Sequence, residues 1–218
     1  MRAFLSYQTD DKAVAGDIKK ILDRLNVETF LAHEDIEVSA EWRLAIIQEL
    51  MVTDLFIPIL SKNYYTSIWC KQESGMAAYR GVTIIPLSID GSVPQGFISH
   101  VQSTRINPKQ IYAAPLVTGI ARRDKAFAIE GIIKFIGGSG NFRAAEANFE
   151  MILPFLKDAS KEQKVRLLQV SLRNNQVCNA GLCATKYLPP LLAGHGRFLS
   201  AEDRAELTEI LDRYKPSI

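Results

Sequence analysis

"DLFIPILSKNYYTSIWCKQESGMAAYR", residues 54–80, decides the fold. Leu55 to Leu60 form an unbroken apolar run, the pattern of a strand covered on both faces. After a hydroxyl-rich connection the period becomes helical from Ser67, and Trp69, Glu73, Ala77 and Arg80 fall at i, i+4, i+8 and i+11 with Met76 beside them. One position is out of place, because Glu73 puts a carboxylate on that packing stripe. From helix position alone it can be a structural acid paired with Arg80, Lys71 or another base, or a functional group.

The same strand-then-helix unit repeats on either side. Upstream, "RAFLSY" (2–7) reads as a buried strand, and "TDDKAVAGDIKKILDRLN" (9–26) as an amphipathic helix capped near Thr9 or Asp10. "VETFLA" (27–32) is a second strand, "HEDIEVS" (33–39) a polar loop and "AEWRLAIIQELMV" (40–52) a second helix, apolar on more than one face. Downstream, "VTIIPLSID" (82–90) is a fourth strand; 91–122 reads as loops apart from a short fifth strand at "STRIN" (103–107). "RRDKAFAIEGIIKFI" (122–136) is a further helix. The alternation predicts an α/β fold, a parallel sheet with helices on both faces, whose ligand crevice lies outside the carboxyl ends of the strands.

"GGSGN" (137–141) punctuates the chain. It lacks the Lys-Ser/Thr ending of a phosphate-binding loop and no strand precedes it, so it reads as a linker or helix C-cap. Beyond it the strand patterns stop. "FRAAEANFEMILPFLKD", "SKEQKVRLLQVSLRNN", "GLCATKYLPPLLAG" and "SAEDRAELTEILDRY" read as helices, the last with Ser200 and Asp203 in capping-box spacing. The expected organisation is a domain over 1–136, a linker over 137–141 and a small all-helical C-terminal region over 142–218. For that region a partner-docking or assembly role is expected.

Composition narrows the partners. A net charge of +2 from 26 basic and 24 acidic residues, without long like-charge runs, gives no footprint for nucleic acid or a membrane surface. No apolar run is long enough for a signal peptide core or a membrane span, so a cytoplasmic location is expected. Cys70, Cys178 and Cys183 form no CxxC pair and read as buried free thiols. His33, Glu34 and Asp35 are adjacent and cannot all point to one ion, so no metal site is expected; Arg43 reads as solvated, and His195 receives no role.

Three boxes in order carry a resemblance: "RAFLSY", "FLAHEDIEVSAEW" and "SIWCKQES". With them the first domain resembles the TIR (Toll/interleukin-1 receptor) family. The resemblance implies a flavodoxin-like parallel sheet and self-association through the TIR domain. Family enzymes cleave NAD between nicotinamide and ribose with a glutamate four residues after a tryptophan, which falls on Glu73 after Trp69. Substrate contacts implied in the same way are Ser6 and Tyr7 at the end of the first strand, Ile36 in the loop, Trp42, and Trp69, which also suits packing at the helix start. One departure is the loop, which has Ser39 and Ala40 where many members carry glycine.

The residues suit that chemistry. Nicotinamide leaves a cationic pyridinium as a neutral molecule, so positive charge develops on the ribose and one carboxylate can stabilise it. An aromatic face suits the pyridinium ring. Resemblance to bacterial members implies an NAD glycohydrolase or ADP-ribosyl cyclase of anti-phage defence, with NAD as substrate and no separate cofactor. The chief alternative is a non-enzymatic TIR assembly module with Glu73 structural. Another is a nucleoside-processing enzyme of similar topology, such as a deoxyribosyltransferase. A phosphoacceptor receiver is discarded because the third strand ends in Leu60 and Ser61 rather than aspartate.

Overall fold

The computed structural model describes residues 1–32 and 42–215, with Trp42 described by its backbone alone. Contacts divide the chain into two units, Met1–Arg123 and Asp124–Ile218.

In the first unit, β1 (Arg2–Ser6), β2 (Glu28–Leu31) and β3 (Leu55–Leu60) alternate with α1 (Lys12–Arg24), α2 (Trp42–Val52) and α3 (Ile68–Arg80). Then come β4 (Thr83–Ile84), β5 (Leu87–Ser88), β6 (Thr104–Arg105) and α4 (Ala114–Arg123). All strand pairs are parallel, in the order β2-β1-β3-β5-β6 with β4 also on β3. This is the flavodoxin-like order, whose switch point lies between β1 and β3. All six β3 residues are buried, which is why its sequence does not alternate. Phe30, Phe4 and Phe56 stand in register across the first three strands, with ring centroids 5.2 and 5.9 Å apart. They pack with Ile46 and Leu50 of α2 and Met76 and Ala77 of α3. Ala3, Leu5, Leu55 and Ile57, buried too, take the alternate positions that face the other way.

The expected fourth strand is split. Leu55 pairs with Thr83 and Ile59 with Leu87, the same offset of 28 residues (83−55 and 87−59), so one register is interrupted where Pro58 faces Pro86. Neither proline has an N–H to give to a ladder.

Residues 91–122, read above as loops apart from the "STRIN" strand, also contain α4. Pro115 sits in its first turn, where proline is tolerated, and Gly119 lies inside it because Ile85 packs there. A Cβ on Gly119 would stand 2.4 Å from Ile85 Cδ1 and 2.5 Å from its Cγ1. Alanine would gain about 1 kcal/mol in helix propensity, but with Ile85 buried the overpacking costs about 1–3 kcal/mol. Gly119→Ala is therefore expected to lower the denaturation midpoint, and a midpoint at or above wild type contradicts this packing.

The second unit is helical: α5 (Lys125–Gly137), α6 (Phe142–Ile152), α7 (Lys161–Leu172), α8 (Asn175–Cys178), α9 (Leu188–His195) and α10 (Ala201–Asp212). The division after Arg123 differs from the sequence boundary at 136, because α5 packs on α6 and α7 with Ile129, Ile132, Ile133 and Ile136 buried. The segment 137–141 is the end of α5 and the cap of α6, where the Asn141 side chain accepts from Ala144 N. Ser200 caps α10 by accepting from Asp203 N. The Asp203 carboxylate, rather than closing a capping box, accepts from Arg173 at 2.7 Å. The reciprocal box forms at Ser160 and Gln163 of α7. The three cysteines are buried.

Candidate active site

β1 and β3 bring their carboxyl ends together at the switch point, and the turns that follow them are tied by side chains. After β1, Asp11 accepts from Ser61 Oγ at 2.7 Å, and Ser61 in turn accepts from Tyr64 N at 3.0 Å. These bonds set the 3-10 turn Tyr64–Thr66 against β1 and point the fully buried Tyr64 side chain inward. Ser67 then caps α3 by accepting from Cys70 N. Two turns on, Glu73 reaches the end of β1.

Its carboxylate meets a serine. Ser6 Oγ donates to Glu73 Oε2 at 2.5 Å. With its proton given there, Ser6 can only accept from Tyr64 OH at 2.9 Å, and Tyr64 then accepts from Ser74 Oγ at 2.8 Å. The Cys70 carbonyl, 3.2 Å from Tyr64 OH, competes for the same phenolic proton. A chain of hydroxyls, Ser74 to Tyr64 to Ser6, thus ends on one carboxylate oxygen. The other, Oε1, is buried with no hydrogen-bond partner among the described residues.

Burial dominates the electrostatics. Glu73 is 1 % exposed, and desolvation pushes its carboxyl up to about 7, against the smaller downward pull of the Ser6 bond. Burial also raises the Tyr64 phenol well above its ordinary range and the Cys70 thiol to about 11, so both stay neutral beside the carboxyl near pH 7. The bases that could have made Glu73 a structural acid are engaged or exposed. Arg80 donates to the carbonyls of Leu50 and Thr53 at the end of α2, and Lys71 is exposed.

Of the residues singled out in the sequence, Ser6 and Glu73 are brought together at the end of β1, Tyr7 is buried next to Ser6 in the chain, and Trp69 is half-buried at the start of α3. Trp42 opens α2, its side chain outside the description. Ile36, with His33, Glu34 and Asp35, lies outside the described residues. Arg43 is exposed. Tyr64 and Ser74 were not singled out; Tyr64 lies in the hydroxyl run of "SKNYYTS", and Ser74 directly follows Glu73. Among the described residues no group of three or more His, Cys, Asp or Glu side chains is placed to hold a metal ion, and no helix is long and apolar enough to cross a membrane.

A five-row parallel sheet in flavodoxin-like order with an acid on the helix after β3 defines the class, and sequence comparison supplies the family. The profile of the TIR domain matches residues 3–117, more than half of the chain, and the chain belongs to that family. No curated protein matches. Among solved structures, the chain is similar to the TIR domain of the Toll-related receptor TRR-2 from Hydra magnipapillata, at 16 % identity and a TM-score of 0.42, covering 47 % of this chain and 82 % of that one. It is also similar to a 2-deoxyribosyltransferase from Bacillus psychrosaccharolyticus, at 15 % identity and a TM-score of 0.40, covering 53 % of this chain and 96 % of that one.

Proposed function

We propose that this TIR protein cleaves NAD at the bond between nicotinamide and ribose, with Glu73 as the catalytic carboxylate. The observation that carries the reading is the state of that side chain: buried at the switch point, held at Oε2 by Ser6, paired with no cation and left with Oε1 unpartnered among the described residues. A structural acid gains its place from a salt bridge, and the nearest expected partner, Arg80, is bound elsewhere. A preorganised carboxylate in a water-poor site contributes on the order of several kcal/mol to a developing cation. In this reading Oε1 faces the ribose, Ser6 holds the carboxylate orientation, Tyr7 lines the nucleotide cleft, and Ile36, Trp42 and Trp69 are the remaining proposed substrate contacts. The electron pair of the glycosidic bond leaves with nicotinamide. Water then captures the ribose cation to give ADP-ribose, or a group of the same molecule captures it to give a cyclic isomer.

The test is incubation of the purified full chain with NAD, with nicotinamide followed by chromatography. Nicotinamide should appear, with a second product of the mass of ADP-ribose or of that mass less water. Silence at high protein concentration, in the presence of an activating partner, overturns the reading. Since Glu73 is 1 % exposed, the reaction requires that NAD or a neighbouring copy uncover Oε1. Specific activity is therefore expected to fall on dilution, and constancy across a wide concentration range contradicts self-association as the trigger. NAD is the substrate, and no separate cofactor is proposed. A cytoplasmic setting and a role in bacterial anti-phage defence are proposed on the strength of the family resemblance.

One observation favours a second reading, an assembly module acting through TIR contacts. Leu44, Ile47 and Met51 form an exposed apolar stripe at i, i+3 and i+7 along α2. Self-association without nicotinamide release selects it.

A further inference from the structure

The helical unit contains a groove that the NAD-cleaving reading does not use. It runs between α9 and α10 and encloses about 730 Å3, within the range of small-molecule sites. The chain enters α9 through a π-helical turn, Cys183–Tyr187, a widened geometry that recurs at functional sites and here presents Ala184 to the groove. Ala193 stands further along α9, so two small side chains leave room over Leu192 and Leu211.

Charge gives the groove a direction. Arg197 and Arg204 line one end, exposed and without an ion pair to any described acid. The Arg197 guanidinium lies 4.8 Å over the Phe198 ring, a cation-π contact that leaves its charge without an anionic partner among the described residues. Asp203, the acid next to Arg204, is occupied by Arg173. At the opposite end Asp212 is neutralised by Lys215 at 2.7 Å. The lining therefore carries an excess of two positive charges, both at the Arg197 and Arg204 end. From Arg204 to Leu211 the helix rises about 10 Å, so a mainly apolar floor of that length, with Leu192, Ala193 and Leu211 around a single Thr208, leads away from the cationic end.

We propose that this groove binds a single-chain amphiphile with one anionic head, its carboxylate or phosphate between Arg197 and Arg204 and its apolar chain along Leu192, Ala193 and Leu211. Guanidinium forks match either head in bidentate geometry, and the apolar floor accounts for the chain. The site lies wholly within the helical unit and stands independently of the chemistry assigned to Glu73.

Isothermal titration of the full chain with decanoate, below its aggregation concentration, tests this. One-to-one saturable binding is expected, with 1-decanol and acetate each weaker by about tenfold or more because each lacks half of the ligand. The double variant Arg197→Ala/Arg204→Ala should lose about tenfold or more in affinity, and Ala193→Trp should block the groove. All three positions are exposed, so folding, checked by circular dichroism, should be retained. Binding of decanol equal to decanoate, unchanged affinity in both variants, or association with anionic vesicles but not with monomeric decanoate would each overturn the proposal.

Discussion

Glu73→Gln is expected to lower nicotinamide release by about a hundred- to a thousandfold, the scale of losing one preorganised electrostatic group, and to leave the protein at least as stable as wild type at neutral pH. The two halves of this expectation separate the roles of the residue. Glutamine keeps the shape and can still accept from Ser6, but carries no charge to set against a ribose cation. A charge buried at 1 % exposure without a cationic partner among the described residues is a cost to the fold, so its removal should not lower stability. Chromatography of the products alongside thermal unfolding reads both. Full activity in the variant removes Glu73 as the catalytic group; a large fall in unfolding temperature assigns it a structural role instead.

The second expectation concerns pH. Burial raises the Glu73 carboxyl from 4.5 to about 7 in the folded chain. Between these values the folded state holds a proton that the unfolded state has released, so stability from this group is complete below pH 4.5 and is lost as pH rises toward 7. At 1.36 kcal/mol per pH unit the loss is on the order of 3 kcal/mol. Unfolding free energies from denaturant titrations at pH 5 and pH 8 should fall with pH for wild type and not for Glu73→Gln, the variant lacking this decline. Activity should run the other way, with kcat/KM rising through about pH 7 as the carboxylate forms. Parallel stability profiles for the two proteins would contradict the burial of the carboxyl as the source of its shift. The protein would then be most active where this group supports the fold least.

Much of the first unit was legible because its signals are local. The run Leu55–Leu60 named a doubly covered strand from six residues, and the shift to helical period after Ser67 named α3. Glu73 stood out for the same reason, as a charge on a packing stripe. What escaped depends on partners distant in the chain. Gly119 and Pro115 look like loop punctuation until Ile85, 34 positions earlier (119−85), is seen to need the missing side chain. The split of the fourth strand follows from Pro58 and Pro86 meeting across the sheet, which neither residue announces alone. Tyr64 and Ser74 enter the site only through Ser6, which is 58 residues from Tyr64. The helical unit was legible as helices but not as a container, since the groove arises from the π-helical turn and two alanines set against α10.

The facing prolines have a mechanical consequence for the site. Ser6 pairs with Pro58 on β3, and the constant offset carries the same row on to Pro86, so the residue that holds Glu73 stands at the end of a row with two amides unable to donate. A parallel sheet ordinarily resists shear because every rung is stitched, and here the stitching thins at that row. The thin stitching lies on the far side of β3 from Ser6, since Phe56 and Leu60 give their carbonyls to Ile85 and Ile89 and Pro58, of the same parity, faces that way, while the Phe30, Phe4 and Phe56 rung beneath stays packed. The floor that holds Ser6 against Glu73 is thus fully stitched to β3, and the give in the sheet is confined to its β5 side.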